Sequence, residues 1–183
     1  ASGSHDNTVR IWSFDFGTSQ GEEVAKFKSH TSHVFCVSWS PCGRFVASGS
    51  GDAIVCIWDV TTKQGKEVVK LKGHTSSLSS VAWSPCGTFL ASGSSDKTIC
   101  IWSFDLAIKQ AEEVARFKGH KGCINDVSWS PCGQFLVSGS DDNTVRIWSF
   151  DSKTCQGSQV AKLEGHTLWV NGVDWCPCGQ FLA

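Results

Sequence analysis

Internal repetition constrains this chain more than any other feature. The string Ser-Pro-Cys-Gly occurs at residues 40–43, 84–87 and 130–133, and Cys-Pro-Cys-Gly at 176–179. Their prolines, Pro41, Pro85, Pro131 and Pro177, lie 44, 46 and 46 residues apart. A unit of this length is one supersecondary motif that cannot bury its apolar face alone, so each copy must stack against its neighbours.

The first full unit shows what is repeated. Residues 34–40 (Val-Phe-Cys-Val-Ser-Trp-Ser) are rich in strand formers and run into a turn at 41–43. Residues 45–50 read as a second strand, 51–52 as a tight turn, and 53–60, which end in Ile57-Trp58-Asp59-Val60, as a third strand. A polar loop over 61–65 leads to 67–72, where charged and apolar residues alternate as in a half-exposed fourth strand. Gly73-His74 then opens the next unit. Four short strands in one such repeat make a propeller blade.

The Gly-His step, the Ser-Pro-x-Gly turn, the x-Asp turn and the closing Ile-Trp resemble the WD-repeat family, and the resemblance covers essentially the whole chain. Cys stands where the family's turn commonly has Asp, Ser29 replaces Gly before His30, and only Trp58 is followed by Asp, at Asp59. The implied fold class is all-β, a β-propeller of WD-type four-stranded blades, three continuous and one split between the termini. The repeat units are 30–73, 74–119, 120–165, and a composite of 166–183 with 1–29.

Each unit carries His, Ser and Asp at constant spacing, the residue types of nucleophilic hydrolases. Their recurrence argues against a single active site. The resemblance instead implies structural tetrads in which Asp bonds His, His bonds Ser and Ser bonds the Trp indole. They are His30, Ser48, Asp52 and Trp58; His74, Ser92, Asp96 and Trp102; His120, Ser138, Asp142 and Trp148. The fourth set joins His166 to Ser2, Asp6 and Trp12, because residues 1–6 match 47–52 while 180–183 fall inside a second strand. The halves predict association: two chains complete each other's split blade in an eight-bladed, two-fold homodimer. A four-bladed ring and a fragment of a longer array are the alternatives. No catalysis, cofactor or metal is expected, since Cys176 and Cys178 have no evident further ligands nearby.

A net charge of −1 gives no broad attraction to nucleic acid or to an anionic membrane. No apolar run approaches the ~20 residues that span a bilayer, and no secretory signal is expected. The ten cysteines include four at one repeat position, on separate blades, which favours reduced thiols and a cytoplasmic home.

Of nine tryptophans, Trp39, Trp83, Trp129 and Trp175 fall on first strands and four belong to tetrads, so eight are expected in the core. The ninth, Trp169, falls after the Gly-His loop, where the resemblance implies a partner-binding rim. Rim candidates are the positions that vary between copies: His33, Phe35, Ser77, Ser79, Cys123, Asn125, Trp169 and Asn171, with His5 and Asp141 before the turn Asp. Arg10 and Arg146, which replace Cys56 and Cys100, are expected on a solvated face. The implied function is a scaffold that binds an unidentified protein or peptide. The alternative is an engineered or purely structural assembly with no selected partner.

Overall fold

The computed structural model describes residues 1–61 and 66–183, so all of the expected polar loop except Thr61 lies outside the described residues. Every regular element among the described residues is a strand. The first sheet has three antiparallel strands, β1 (Ser2–Gly3), β2 (Thr8–Asp15) and β3 (Gln20–Lys28). Three four-stranded antiparallel sheets follow. They are β4 (Val34–Trp39), β5 (Phe45–Ser50), β6 (Ile54–Asp59) and β7 (Lys66–Lys72); β8 (Leu78–Trp83), β9 (Phe89–Ser94), β10 (Thr98–Asp105) and β11 (Gln110–Lys118); and β12 (Ile124–Trp129), β13 (Phe135–Ser140), β14 (Thr144–Asp151) and β15 (Gln156–Glu164). Beyond β15 a single bridge joins Trp175 to Leu182. The chain is thus three continuous WD-type blades flanked by two parts of a fourth.

Local chemistry sets the strand ends. β4 stops at Trp39 because Ser40 leaves the ladder: its Oγ accepts the Phe45 N–H at 2.9 Å and its carbonyl accepts the Gly43 N–H at 2.9 Å. Gly43 closes this turn at φ 68°, a left-handed conformation that costs glycine nothing. After the next turn Ala53 sits at φ 64°, which delays the third strand to Ile54. Each third strand meets the fourth with a register shift just before its tetrad tryptophan, as between Ile101 and Trp102. The extra residue falls on the fourth strand, a bulge with no mark in composition.

The core lies between blades rather than within them. Ala47, Val55, Ile57 and Leu71 of one blade pack with Leu78, Val81, Trp83, Trp102 and Phe104 of the next. Ala91, Ile99, Ile101 and Phe117 meet Ile124, Val127, Trp129 and Trp148 in the same way. Close approach depends on a glycine in each second strand: a Cβ on Gly93 would come within 2.7 Å of Ile124 Cγ2 and 3.2 Å of Val127 Cγ1. Gly49 and Gly139 face the following blade with comparable clearance.

Two tryptophans expected in the core are not there. Trp39 is 41% exposed and Trp12 is 49% exposed. Trp129 is covered by the preceding blade, where its indole N–H donates to the Ala82 carbonyl at 3.1 Å. The β1–β3 sheet before Trp39 has no first strand among the described residues, while residues 170–175, which match the first strands in the repeat, pack at the opposite end of the array against Val137.

Gly93→Ala should therefore lower stability by about 1–3 kcal/mol through overpacking. Gly21→Ala, whose Cβ would meet only the Ser13 carbonyl at 3.5 Å, should change it little. Urea unfolding of the two variants checks this; equal midpoints would remove the close-approach argument.

Candidate functional site

In each continuous blade a chain of four polar side chains links the loop before the first strand to the second and third strands. In the middle blade Trp102 Nε1 donates to Ser92 Oγ at 2.8 Å, Ser92 Oγ lies 2.8 Å from His74 Nε2, and His74 Nδ1 lies 2.8 Å from Asp96 Oδ2. The corresponding distances are 2.8, 2.8 and 3.0 Å for Trp58, Ser48, His30 and Asp52. They are 2.9, 2.7 and 2.8 Å for Trp148, Ser138, His120 and Asp142.

The direction of donation is fixed. An indole N–H can only donate, so the serine accepts it and gives its own proton to His Nε2; the remaining ring proton sits on Nδ1 and goes to the carboxylate. The histidine is neutral in this arrangement. Burial pushes His74 and His120 below their ordinary value, and Asp96 and Asp142 only partly oppose that shift. Burial works against the charged form of Asp96 too, but bonds from the Thr98 hydroxyl, the Thr75 N–H and the His74 ring hold its carboxyl at about 2. Against burial, Asp52 is likewise held below the usual carboxylate range by the Thr31 N–H and His30, and Asp142 by the Thr144 hydroxyl, the Lys121 N–H and His120.

Sequence reasoning missed a fifth member. Thr98 and Thr144 donate to the turn aspartate at 2.7 and 2.6 Å, as Thr8 does to Asp6 at 2.6 Å. The signal was a threonine two residues after the aspartate in three copies, with Ile54 in the other. The arginines also differ from expectation. Arg146 is buried, not solvated: it bonds Gln159 Oε1 at 2.5 Å and lies 3.8 Å from Asp142. Arg10 is half-buried and bridges Glu23 at 2.6 Å and Asp6 at 3.4 Å. Both reach toward the tetrad carboxylate, which needs a cation nearby more than the solvent does.

The fourth set is divided. Trp12 Nε1 donates to Ser2 Oγ at 2.9 Å; the Asp6 carboxylate accepts from Thr8 and Arg10, and the Asp6 N–H donates to Ser4 Oγ. His166 is exposed at the other end, and no hydrogen bond joins it to these residues.

The rim candidates fall into four groups. His5, His33 and Phe35 come together: the imidazoles stack with centroids 4.4 Å apart, His33 Nδ1 donates to the His5 carbonyl at 2.7 Å, and Phe35 stands edge-on to His5 at 5.7 Å. Asn125 bonds Asp141 at 2.7 Å and the Val170 carbonyl at 3.0 Å. Ser79 spends its hydroxyl on the Gly93 and Ile124 carbonyls, Cys123 contacts the Ser95 carbonyl at 3.8 Å, and the Ser77 carbonyl accepts the Ser95 N–H at 2.9 Å. Trp169 is 66% exposed, and Asn171 is exposed beside it.

Antiparallel four-stranded blades, stacked on glycine and tied internally by recurring polar chains, define a propeller-blade array. Residues 1–13, 21–59, 65–103, 111–149 and 157–183 match the family model described as WD domain, G-beta repeat, and the chain belongs to that family. Among curated relatives, it is 46% identical over 54 residues to a probable cytosolic iron-sulfur protein assembly protein Ciao1 of Culex quinquefasciatus, covering 30% of this chain and 16% of that one. It is 36% identical over 73 residues to the nuclear distribution protein PAC1 of Candida tropicalis, covering 32% and 15%. It is 40% identical over 58 residues to a ribosome biogenesis protein WDR12 homolog of Anopheles gambiae, covering 32% and 14%. The matches span about one sixth of each relative's length.

Two outcomes follow for the tetrad. Ser92→Ala strands the Trp102 N–H and His74 Nε2 in a buried site and should cost about 2–4 kcal/mol. Acid should destabilise the fold in two stages. The folded chain holds His74 and His120 below 6.5, so the unfolded chain binds more protons there, and their contribution, full above 6.5, is lost as pH falls. The Asp96 contribution, full above 3.8, is lost in turn as pH falls toward about 2. Urea midpoints measured across this range should drop below 6.5; a midpoint that rises there would contradict the neutral-histidine assignment.

Proposed function

We propose that this chain is a non-catalytic protein-interaction scaffold of the cytoplasm that first binds a second copy of itself, closing an eight-bladed ring, and then holds a protein or peptide on the ring face. The observation that carries self-association is the mismatch between the array's ends and its interior. Trp12 is 49% exposed, while its equivalents Trp58, Trp102 and Trp148 are at most 3% exposed. Those three are covered by Phe27, Leu71 and Phe117 of the preceding fourth strand, and Phe27 and Phe117 stack on their tryptophans at 4.9 and 5.4 Å. The matching residue for Trp12 is Leu163, which is 44% exposed.

Setting residues 1–28 of one protomer against 163–183 of its partner would supply each missing contact. Leu163 covers Trp12, His166 reaches Asp6 and Ser2, and Trp175 meets Phe14 as Trp83 and Trp129 meet Phe104 and Phe150, edge-on at 5.5 Å. Two four-blade halves complete a ring in which each blade turns about 45°. The absence of any strand pairing or hydrogen bond between 1–28 and 166–183 within the chain, among the described residues, supports two-chain closure over a four-bladed ring.

The rim cluster of His5, His33 and Phe35, with Trp169 exposed on the corresponding loop, offers the aromatic anchors that interfaces favour. The non-catalytic reading is supported by Ser48, Ser92 and Ser138, which are fully buried with Oγ already accepting an indole N–H. The Culex relative carries a cytosolic assembly protein's name.

Light scattering should give about twice the chain mass of 19.8 kDa. Trp12→Ala should weaken association by about 10–150-fold, the equivalent of the 1.5–3 kcal/mol gained on burying a large side chain. A compact monomer at all concentrations would overturn the dimer. For the rim, a protein retained by the wild type and lost by both Trp169→Ala and Phe35→Ala supports the site; unchanged retention moves binding elsewhere.

A further inference from the structure

We infer that Cys176 and Cys178 form a thiol–disulfide exchange site, absent from the other three turns of the same kind, that takes a low-molecular-weight disulfide as its substrate. The two Sγ atoms lie 2.8 Å apart across Pro177. A modest rotation brings them to the ~2.05 Å of a disulfide bond.

The other copies of the turn show what is distinctive here. In them the first residue is a serine whose oxygen has a structural task. Ser40, Ser84 and Ser130 accept the N–H of Phe45, Phe89 and Phe135 at 2.9, 3.0 and 3.0 Å. Each also contacts the turn cysteine, Cys42, Cys86 or Cys132, at 3.2–3.3 Å. Cys176 replaces that serine. Its side chain accepts nothing from Phe181, whose link to the turn is a backbone one, the Cys176 N–H to the Phe181 carbonyl at 2.9 Å. The sulfur is therefore free to act on Cys178 without dismantling the turn.

Cys178 is the attacking thiol. It is exposed, and the Cys176 S–H and the Gln180 N–H favour its thiolate. Cys176 is held in the thiol form by the same contact. The Cys178 thiolate attacks one sulfur of the small disulfide, forming a mixed disulfide and expelling one thiolate. Cys176 gives up its proton to solvent and attacks Cys178 Sγ, forming the Cys176–Cys178 bond and expelling the second thiolate. Two protein thiols are oxidised, one small disulfide is reduced to two thiols, and the two protons released by the protein end on them. Cys42, Cys86 and Cys132 are exposed in complete blades, so Cys178 stays accessible whether or not a second copy closes the terminal blade. The attack by Cys178 is therefore independent of the assembly proposed above.

The test uses oxidised glutathione with the full chain, followed by peptide mass mapping without reduction. Cys176→Ser restores the Ser-Pro-Cys-Gly of the other three turns and so keeps the fold. In the wild type, Cys178 should retain roughly tenfold less glutathione than Cys42 and should instead be found bonded to Cys176, because the second thiol resolves the adduct. In Cys176→Ser, glutathione should accumulate on Cys178 as it does on Cys42, Cys86 and Cys132. Equal retention on Cys178 in both chains, or no reaction at Cys178 where Cys42 reacts, would overturn the site.

Discussion

A buried relay of hydrogen bonds, from indole N–H through serine and neutral imidazole to a carboxylate, holds each blade in register. Three elements far apart in sequence meet in it: the loop before the first strand, the second strand and the third. Each bond leaves one proton arrangement open and closes the others, since tryptophan can only donate and ionised aspartate can only accept. Low dielectric around His74 and His120 keeps the rings uncharged, and the network survives there because each donor meets an acceptor. The aspartate sits at the edge of this relay, where backbone N–H groups from Thr31, Thr75 and Lys121 reach it at 2.9, 3.0 and 2.9 Å. The relay thereby fixes the loop as well as the strands, and the loop is what carries the rim residues.

The relay is closed within a blade, but its cover comes from outside. Phe27 and Phe117 lie flat on the tryptophans of the next blade, and Gly93 and its counterparts admit the next first strand. One blade is thus a polar unit complete in itself and an apolar unit lacking a neighbour on each side. Stacking resolves the deficit everywhere except at the ends of the array, which is why the same residue type is buried three times and exposed once. Nothing about Trp12 as a residue differs from Trp58; its surroundings do.

Recurrence made the strands, the turns and the polar chains of the three continuous blades legible in the sequence, because those depend on contacts that these copies repeat. What escaped depends on contacts between copies or on backbone geometry. Recurrence placed Trp39 on a first strand correctly, yet its burial rests on a preceding blade that Trp83, Trp129 and Trp175 have and Trp39 lacks. The bulge before each tetrad tryptophan follows from ladder register, not from side-chain type. The stack of His5 on His33 joins residues from adjacent blades at positions that look unrelated along the chain. Ser77 and Ser79 varied as rim residues should, but the Ser77 carbonyl accepts from the Ser94 hydroxyl of its own blade and Ser79 donates to the Gly93 and Ile124 carbonyls of the same and the following blade.

The arginines show how copies can differ while meeting one demand. Three of the four turn aspartates have an arginine nearby, and the array supplies it from two different strands. At the end blades it comes from the third strand, as Arg10 beside Asp6 and Arg146 beside Asp142. In the middle blade the third strand carries Cys100 instead, and Arg116 reaches over from the fourth to 4.0 Å from Asp96, bonding Thr98 and the Gly73 carbonyl on the way. Cys100 and Arg116 are cross-strand partners, as are Arg146 and Lys162. An arginine at both positions would set like charges opposite one another in the ladder, which is destabilising. With Arg146 turned inward to Asp142, Lys162 pairs outward with Glu164. The small, neutral cysteine, its thiol pushed up to about 12 by burial, is what makes room when the cation comes from the other side. Variation at this position is therefore one half of a paired choice, constrained by charge and volume together, and it differs in kind from the variation at the rim.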